Sequence, residues 1–239
     1  MTPTRGPGFG LASLLQLGAD RESRGYFVLC ALLVLSMLAS VIVPERGWSG
    51  TVLDACLVAI LGSAGYSAVD SRKMLAVVLV LGLLAFSMAA LRALGDEEAW
   101  SAPAFFAIGV FLAVVNSALL VDVITAGQGR GVSHGLIAGA ISVYLLMAVT
   151  FSVWYRFALS VNPEAFAGAV DAESGLHINS MLYFSFVTLT TVGYGDITPV
   201  GGGVRMLAIF EALAGQLYLT LLVARLVGIQ IAHSPSRDG

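Results

Sequence analysis

The chain has 239 residues, of which 12 are Lys or Arg and 15 are Asp or Glu, giving a formal charge of −3. Charged residues make up 11% of it, against about 25% in ordinary soluble domains, while the apolar set reaches 58%. This excludes a soluble enzyme, a disordered chain and a collagen-like repeat, and the lack of a basic stripe argues against a nucleic-acid partner.

The apolar runs follow in chain order. Residues 26–43 carry no charge, and residues 52–69 carry only Asp54, near their start. Residues 74–91, 103–121 and 135–155 are uncharged, and 206–224 is broken only by Glu211. A helix needs roughly 20 apolar residues to cross the hydrocarbon, so these are six candidate spans. Each must be helical, because lipid offers no partner to a free N–H or C=O. A seventh uncharged run, 178–195, is rich in Ser, Thr and Gly and ends at Asp196. It is a poor spanning helix and a better re-entrant segment, tolerated where protein or water covers it.

Loop charges set the expected orientation. With the N-terminus inside, the cytoplasmic side holds Arg5, Arg21, Arg24, Arg72, Lys73, Arg130, Arg225 and Arg237. The outer side holds Arg46, Arg92, Arg156 and Arg205, so the bias fits the positive-inside rule. Glu45, Asp54, Asp96, Glu97, Glu98, Glu164, Asp171, Glu173 and Asp196 also fall outside. They are either solvated loop charges or a field that enriches cations near an entrance. The first run is too long for the core of a cleaved signal peptide. Cys30 and Cys56 fall at different depths, so no bridge within one subunit is expected.

The Gly-Gln-Gly-Arg-Gly stretch at 127–131 punctuates the chain. It separates a cytoplasmic N-terminal segment (1–25) and a four-helix membrane domain (26–131) from a second domain at 132–239. In that second domain, residues 191–195 read Thr-Val-Gly-Tyr-Gly. This string resembles the selectivity filter of potassium channels, in which a permeating K⁺ exchanges its water shell for a ring of oxygens, and backbone carbonyls serve if successive ones face a single axis. An ordinary strand alternates them. Gly193 and Gly195 can take the φ > 0 conformations that break the alternation. Thr191 adds a hydroxyl at the inner end, and Val192 and Tyr194 are expected to pack away from the axis. Residues 179–190 form the expected pore helix, whose negative dipole end faces the ion pathway. One such strand cannot surround an ion, so a homotetramer is expected. Two rival readings of the glycines are weaker. A dinucleotide fingerprint would need a third Gly, and a broken transporter helix would need a partner segment in another half of the chain.

The segment resembles the selectivity filter of potassium channels, and residues 135–232 resemble their pore module of outer helix, pore helix, filter and inner helix. Pro199, Arg205 and Gly215 fall where that family often has a Pro, an Arg and an inner-helix glycine. The resemblance implies K⁺ binding at Thr191, Val192, Gly193 and Tyr194, with Gly195 completing the filter and Thr190, Asp196 and Glu211 supporting it. It implies a gating hinge at Gly215, for which close helix packing is the plainer alternative. Helical spacing from Gly215 puts Gln216, Leu219, Val223 and Val227 on one pore-lining face. An acid inside a span is a functional candidate, and Glu211 is alternatively a hydrogen-bond partner of the pore-helix backbone or of a hydroxyl such as Thr188. Voltage-gated relatives carry a basic ladder in the fourth span, and residues 103–121 carry no Lys or Arg.

Other residues carry less. Asn116 and Asp122 are expected in packing or interfacial contacts. Ala59, Ser63 and Ser67, and Gly135 with Gly139, give small faces for helix contacts. His134, His177 and His233 lack metal-ligand spacing.

The expected fold is an all-α membrane protein with six transmembrane helices, a re-entrant pore helix and filter, and a tetrameric pore. The expected function is passive K⁺ conduction, with a secondary cation transporter or a weakly selective cation channel as the alternative. Neither enzymatic activity nor any cofactor besides K⁺ ions in the filter is expected. The expected partners are three further copies, the lipid bilayer and, for gating, a separate regulatory protein. The expected location is the plasma or inner membrane, with both termini cytoplasmic.

Overall fold

The computed structural model describes residues 25–35, 72–95, 97–126, 133–168 and 178–232. In chain order the elements are α1 (Gly25–Leu35), α2 (Arg72–Leu94), α3 (Glu97–Ala126) and α4 (His134–Val161). Then follow β1 (Phe166–Gly168), α5 (Ile178–Leu189), β2 (Ile197–Pro199) and α6 (Gly202–Ala232). Among the described residues, three helices contain stretches long and apolar enough to cross a membrane, namely Ala99–Thr125, His134–Val161 and Gly202–Ile231. The apolar stretch of α2, Ala76–Arg92, is shorter. The second expected span (52–69), with Asp54, Cys56, Ala59, Ser63 and Ser67, lies outside the described residues, as does the first beyond Leu35. Also outside are residues 1–24, the glycine break at 127–131, the segment 169–177 and the tail from His233.

The central element is α4. Ser133 caps it by accepting a hydrogen bond from the Leu136 N–H at 3.1 Å, which satisfies one of the free donors of its first turn. The helix packs against α3, α5 and α6. Its buried Leu136, Val143 and Leu146 meet Phe105, Phe111, Leu112, Val115 and Leu119 of α3. Leu29 and Leu33 of α1, Val78 of α2, Leu189 of α5 and Tyr218 of α6 join the same core. Lipid is as apolar as leucine, so close approach rather than water exclusion holds such helices together. Gly139 shows this. A Cβ there would lie 3.1 Å from both Tyr26 and Val123, tighter than an ordinary contact. Tyr26 in turn donates its hydroxyl hydrogen to Asp122, which gives that intramembrane acid a partner.

Charges do not end the helices where the sequence suggests. The uncharged run 135–155 stops at Arg156, yet α4 continues to Val161. Arg156 is buried, and its guanidinium sits 4.2 Å from the centre of the Phe105 ring. Arg92, at the end of α2, lies 4.6 Å from the same ring, so Phe105 is flanked by two cations. Arg156, Arg205 and Arg225 are therefore residues within helices, not loop charges.

A small two-stranded ribbon departs from the expected all-α content. β1 and β2 pair antiparallel, with Phe166 opposite Pro199 and Gly168 opposite Ile197. Gly168 has φ +108, and a Cβ there would strike the Asp196 carbonyl oxygen at 1.9 Å, so this position needs glycine. Behind the ribbon, Tyr155, Phe166 and Phe184 pack edge to face, with centroids 4.9–5.6 Å apart. With Met181, Ile197 and Val204 they form a second core.

Candidate functional site

The helix α5 ends at Leu189, and its last carbonyls hold the residues that follow. The Thr190 N–H donates to Phe186 O at 3.0 Å and the Thr191 N–H to Thr188 O at 2.9 Å. Val187 O accepts from Val192 at 2.9 Å and from Gly193 at 3.3 Å. The pairing pulls the chain back over the helix end instead of releasing it as a strand.

Three alternate residues then take positive φ: Thr191 at 60°, Gly193 at 57° and Gly195 at 79°. Val192 and Tyr194 between them do not. A backbone that alternates left- and right-handed conformations turns successive peptide groups the same way, whereas an extended strand flips each one. The two glycines take this conformation readily. Thr191 does not, because positive φ is an outlier for a β-branched residue and is kept only where the surroundings impose it. The sequence points to this geometry at Gly193 and Gly195 but not at Thr191.

Residues 190–196 are exposed along their whole length in the single chain, with Val192 at 51% and Tyr194 at 71%. Tyr194 stacks on Tyr183, with ring centroids 6.5 Å apart and planes 8° from parallel. The Tyr183 hydroxyl donates to Asp196 at 2.7 Å. That hydrogen bond holds the Asp196 carboxyl below its usual range. Downstream, the Arg205 Nε–H donates to Pro199 O at 3.1 Å and clamps β2 to the start of α6.

The inner side of the loop rests on α6. Gly215 is buried, and a Cβ there would meet Leu189 O at 2.6 Å, so only glycine lets the end of α5 sit this close. The helix is unbroken through Gly215. The same Leu189 carbonyl accepts from the Tyr144 hydroxyl at 3.3 Å. Gln216 is exposed, and its amide donates to Thr191 Oγ1 at 3.4 Å. Leu219, Val223 and Val227 are exposed too. The expected common face thus divides, with Gly215 turned to α5 and the other four exposed.

Glu211 is fully buried, and its hydrogen-bond contacts are with Ser185 and Tyr155, not with Thr188. Its Oε1 is in hydrogen-bond contact with the Ser185 hydroxyl, and its Oε2 accepts from Tyr155 at 2.5 Å. The Ser185 oxygen also lies 2.7 Å from Ala148 O. Tyr155 and Ser185 stand 56 and 26 residues from Glu211, and no local sequence pattern links them. Arg225 reads in the sequence as a cytoplasmic loop charge, but from α6 it donates to Val123 O at 2.9 Å and to Ile124 O. Those carbonyls belong to the last turn of α3, where helix acceptors lack intrahelical partners. Cations at a helix C-terminus have no sequence signature when they come from another helix.

Comparison with known proteins bears on this arrangement. A family model described as ion channel matches residues 141–230, which run from α4 through the loop and most of α6. Over 126 residues the chain is 35% identical to the Protein LctB of Bacillus caldotenax, covering 49% of this chain and 92% of that protein. The chain belongs to this ion channel family. A second Protein LctB, from Geobacillus stearothermophilus, is 32% identical over 125 residues, again 49% of this chain and 92% of the relative. The two pore potassium channel a of Oryza sativa subsp. japonica is 37% identical over 70 residues, 28% of this chain and 20% of that protein. No solved structure matches the chain. The channel is accordingly a membrane protein and not an enzyme.

Proposed function

We propose that this channel is K⁺-selective and that residues 191–195 form its filter, with K⁺ held by backbone oxygens of Thr191, Val192, Gly193 and Tyr194 and by the Thr191 hydroxyl. The observation that carries the reading is the alternation of positive φ at Thr191, Gly193 and Gly195, directly after a helix that points its C-terminus at them. An ion that sheds its water there needs several carbonyls turned to one axis. Two plant relatives of the chain carry the name potassium channel.

A homotetramer is part of the proposal. Val192, Tyr194 and most of α6 are largely exposed when only the described residues of one chain surround them, and irregular backbone at membrane depth requires protein or water around it. Four copies supply both. The proposal further includes six spans, both termini in the cytoplasm and a plasma or inner membrane location. The described part of the fourth span, Ala99–Thr125, contains no Lys or Arg. Moving one charge through the field supplies about 2.3 kcal/mol per 100 mV, and α3 has no basic ladder to move. Opening is then only weakly voltage dependent, and gating falls to the filter, the inner helix, lipid or a partner protein.

Proteoliposomes holding the full chain test the reading by uptake of Rb⁺ against Na⁺, alongside the mass of the assembly in mild detergent. Rb⁺ uptake well above Na⁺ uptake by a four-copy particle is expected. Equal uptake of the two ions, or a conducting monomer or dimer, would overturn it.

A further inference from the structure

The cluster behind the pore helix has more close contacts than its hydroxyls can serve. Three oxygen–oxygen contacts meet there: Tyr155 with Glu211 Oε2, Ser185 with Glu211 Oε1, and Ser185 with Ala148 O. Each needs one hydrogen between its two oxygens. Tyr155 has one hydroxyl hydrogen and Ser185 has one. If Glu211 were a carboxylate, two hydrogens would serve three contacts. One lone pair would then face another at hydrogen-bond distance, at a side chain with no solvent access.

The missing hydrogen has one available source. A protonated carboxyl donates from Oε1 to Ser185 Oγ, Ser185 donates onward to Ala148 O, and Tyr155 donates to Oε2. All three contacts are then filled. The residues around Glu211 point the same way. From α4 it faces Tyr155, with Tyr144 along the same helix, and from α5 it faces Ser185, all neutral groups. Among the described residues, no Lys, Arg or His is hydrogen-bonded to it. An uncompensated charge at such a place is far costlier than a neutral acid with satisfied hydrogen bonds.

We propose that Glu211 is a neutral carboxylic acid that positions the filter, using its own hydrogen to fasten the inner helix to Ser185 of the pore helix while Tyr155 fastens it to the outer helix. Ser185 lies about one turn before Leu189, whose end carries the loop at 191–195. The three helices of the pore module therefore meet at one hydrogen-bonded point behind the filter. Gly215, one turn along α6 from Glu211, brings α6 against Leu189, so the two contacts together fix the height of the pore helix on the inner helix. The effect on selectivity rests on the reading of 191–195 as the K⁺ filter. The protonation state does not.

Glutamine separates a neutral acid from a carboxylate, because its amide offers donors and an acceptor where a carboxylate offers acceptors only. In the reconstituted full chain, Glu211→Gln is expected to keep wild-type discrimination of Rb⁺ over Na⁺. Glu211→Ala and Ser185→Ala are expected to keep the tetramer and lower that discrimination roughly tenfold, the scale of one lost buried hydrogen bond. Infrared difference spectra of wild type against Glu211→Gln supply a readout independent of conduction. They should show the carbonyl stretch of a protonated carboxylic acid at neutral pH, downshifted in D₂O. Carboxylate bands alone in that spectrum would overturn the neutral acid, as would a folded tetramer of Glu211→Gln that has lost discrimination. A tetrameric Ser185→Ala with unchanged discrimination would overturn the positioning role. A wild type without discrimination fails the filter reading and leaves the infrared test standing.

Discussion

The helices α4 and α6 are built from similar material and end in opposite situations. They have 28 and 31 residues, and both are apolar enough to span a membrane. In the most apolar stretch of α4, 72% of residues are buried inside the chain, and in that of α6 only 11%. Apolar composition alone therefore says that a helix crosses lipid, not what covers it. α4 finds its neighbours in α3, α5 and α6 of the same chain. α6 is anchored at a few points: Arg205 on β2, Glu211 and Gly215 on α5, Tyr218 on Ala140 and Arg225 on α3. Between these anchors Met206, Ile209, Phe210, Leu213, Leu217 and Leu221 are left exposed by the described residues.

The largest expected effect is at the loop between α5 and β2. Gly193 has φ +57, and a Cβ there would meet nothing within 4 Å, so the obstacle to a side chain is the backbone conformation itself and not a lack of space. Gly193→Ala should abolish selective Rb⁺ uptake while the assembly keeps its mass, because a Cβ penalises that backbone. A fully selective variant would show that the conformation at 193 does not matter.

The next effect concerns burial directly. Leu146 of α4 is completely buried, and Leu146→Ala should destabilise the protein by about 2–5 kcal/mol. Val223 of α6 is 60% exposed, and Val223→Ala should stay within about 0.5 kcal/mol. Denaturant unfolding in detergent compares the two, and equal losses would erase the contrast. Gly215→Ala lies between them. Its Cβ would press on Leu189 O, and overpacking of this kind costs about 1–3 kcal/mol. The same unfolding experiment reads it, and a stabilised variant would mean that α5 and α6 can separate freely.

The smallest expected effect is at Asp196, just after the loop. The Tyr183 hydroxyl lowers the affinity of Asp196 for protons. A folded value below the ordinary one, about 3.9, contributes stability that is present above that range and fades as pH falls through the lowered value. Tyr183→Phe should move the titration of Asp196 upward toward its ordinary value, followed by NMR of the carboxyl. An unmoved titration would remove Tyr183 as the cause.

Much of the frame is legible in the sequence because lipid leaves few choices. The runs 103–121, 135–155 and 206–224 lie within α3, α4 and α6, since an uncharged or nearly uncharged stretch of that length has to be helical. Their ends are less legible. Arg156 and Arg225 read as helix-ending charges, but one lies against Phe105 and the other caps α3, contacts between residues far apart in sequence. The three-residue strands β1 and β2 are too short to show a period of two. Glu211 stands out as an acid within a span, whereas Tyr155 and Ser185 do not, because a hydroxyl in a span looks the same with or without a partner. The positive φ of Thr191 is invisible for a different reason. It is imposed by hydrogen bonds to the end of α5, against the residue's own preference.

Residues 191–195 are proposed to conduct K⁺ and reject Na⁺. The most direct measurement is the zero-current potential of single wild-type channels in a planar bilayer with K⁺ on one side and Na⁺ on the other. A potential that follows the K⁺ gradient and is indifferent to Na⁺ is expected. A potential near zero, with Na⁺ carrying current as well as K⁺, would contradict it.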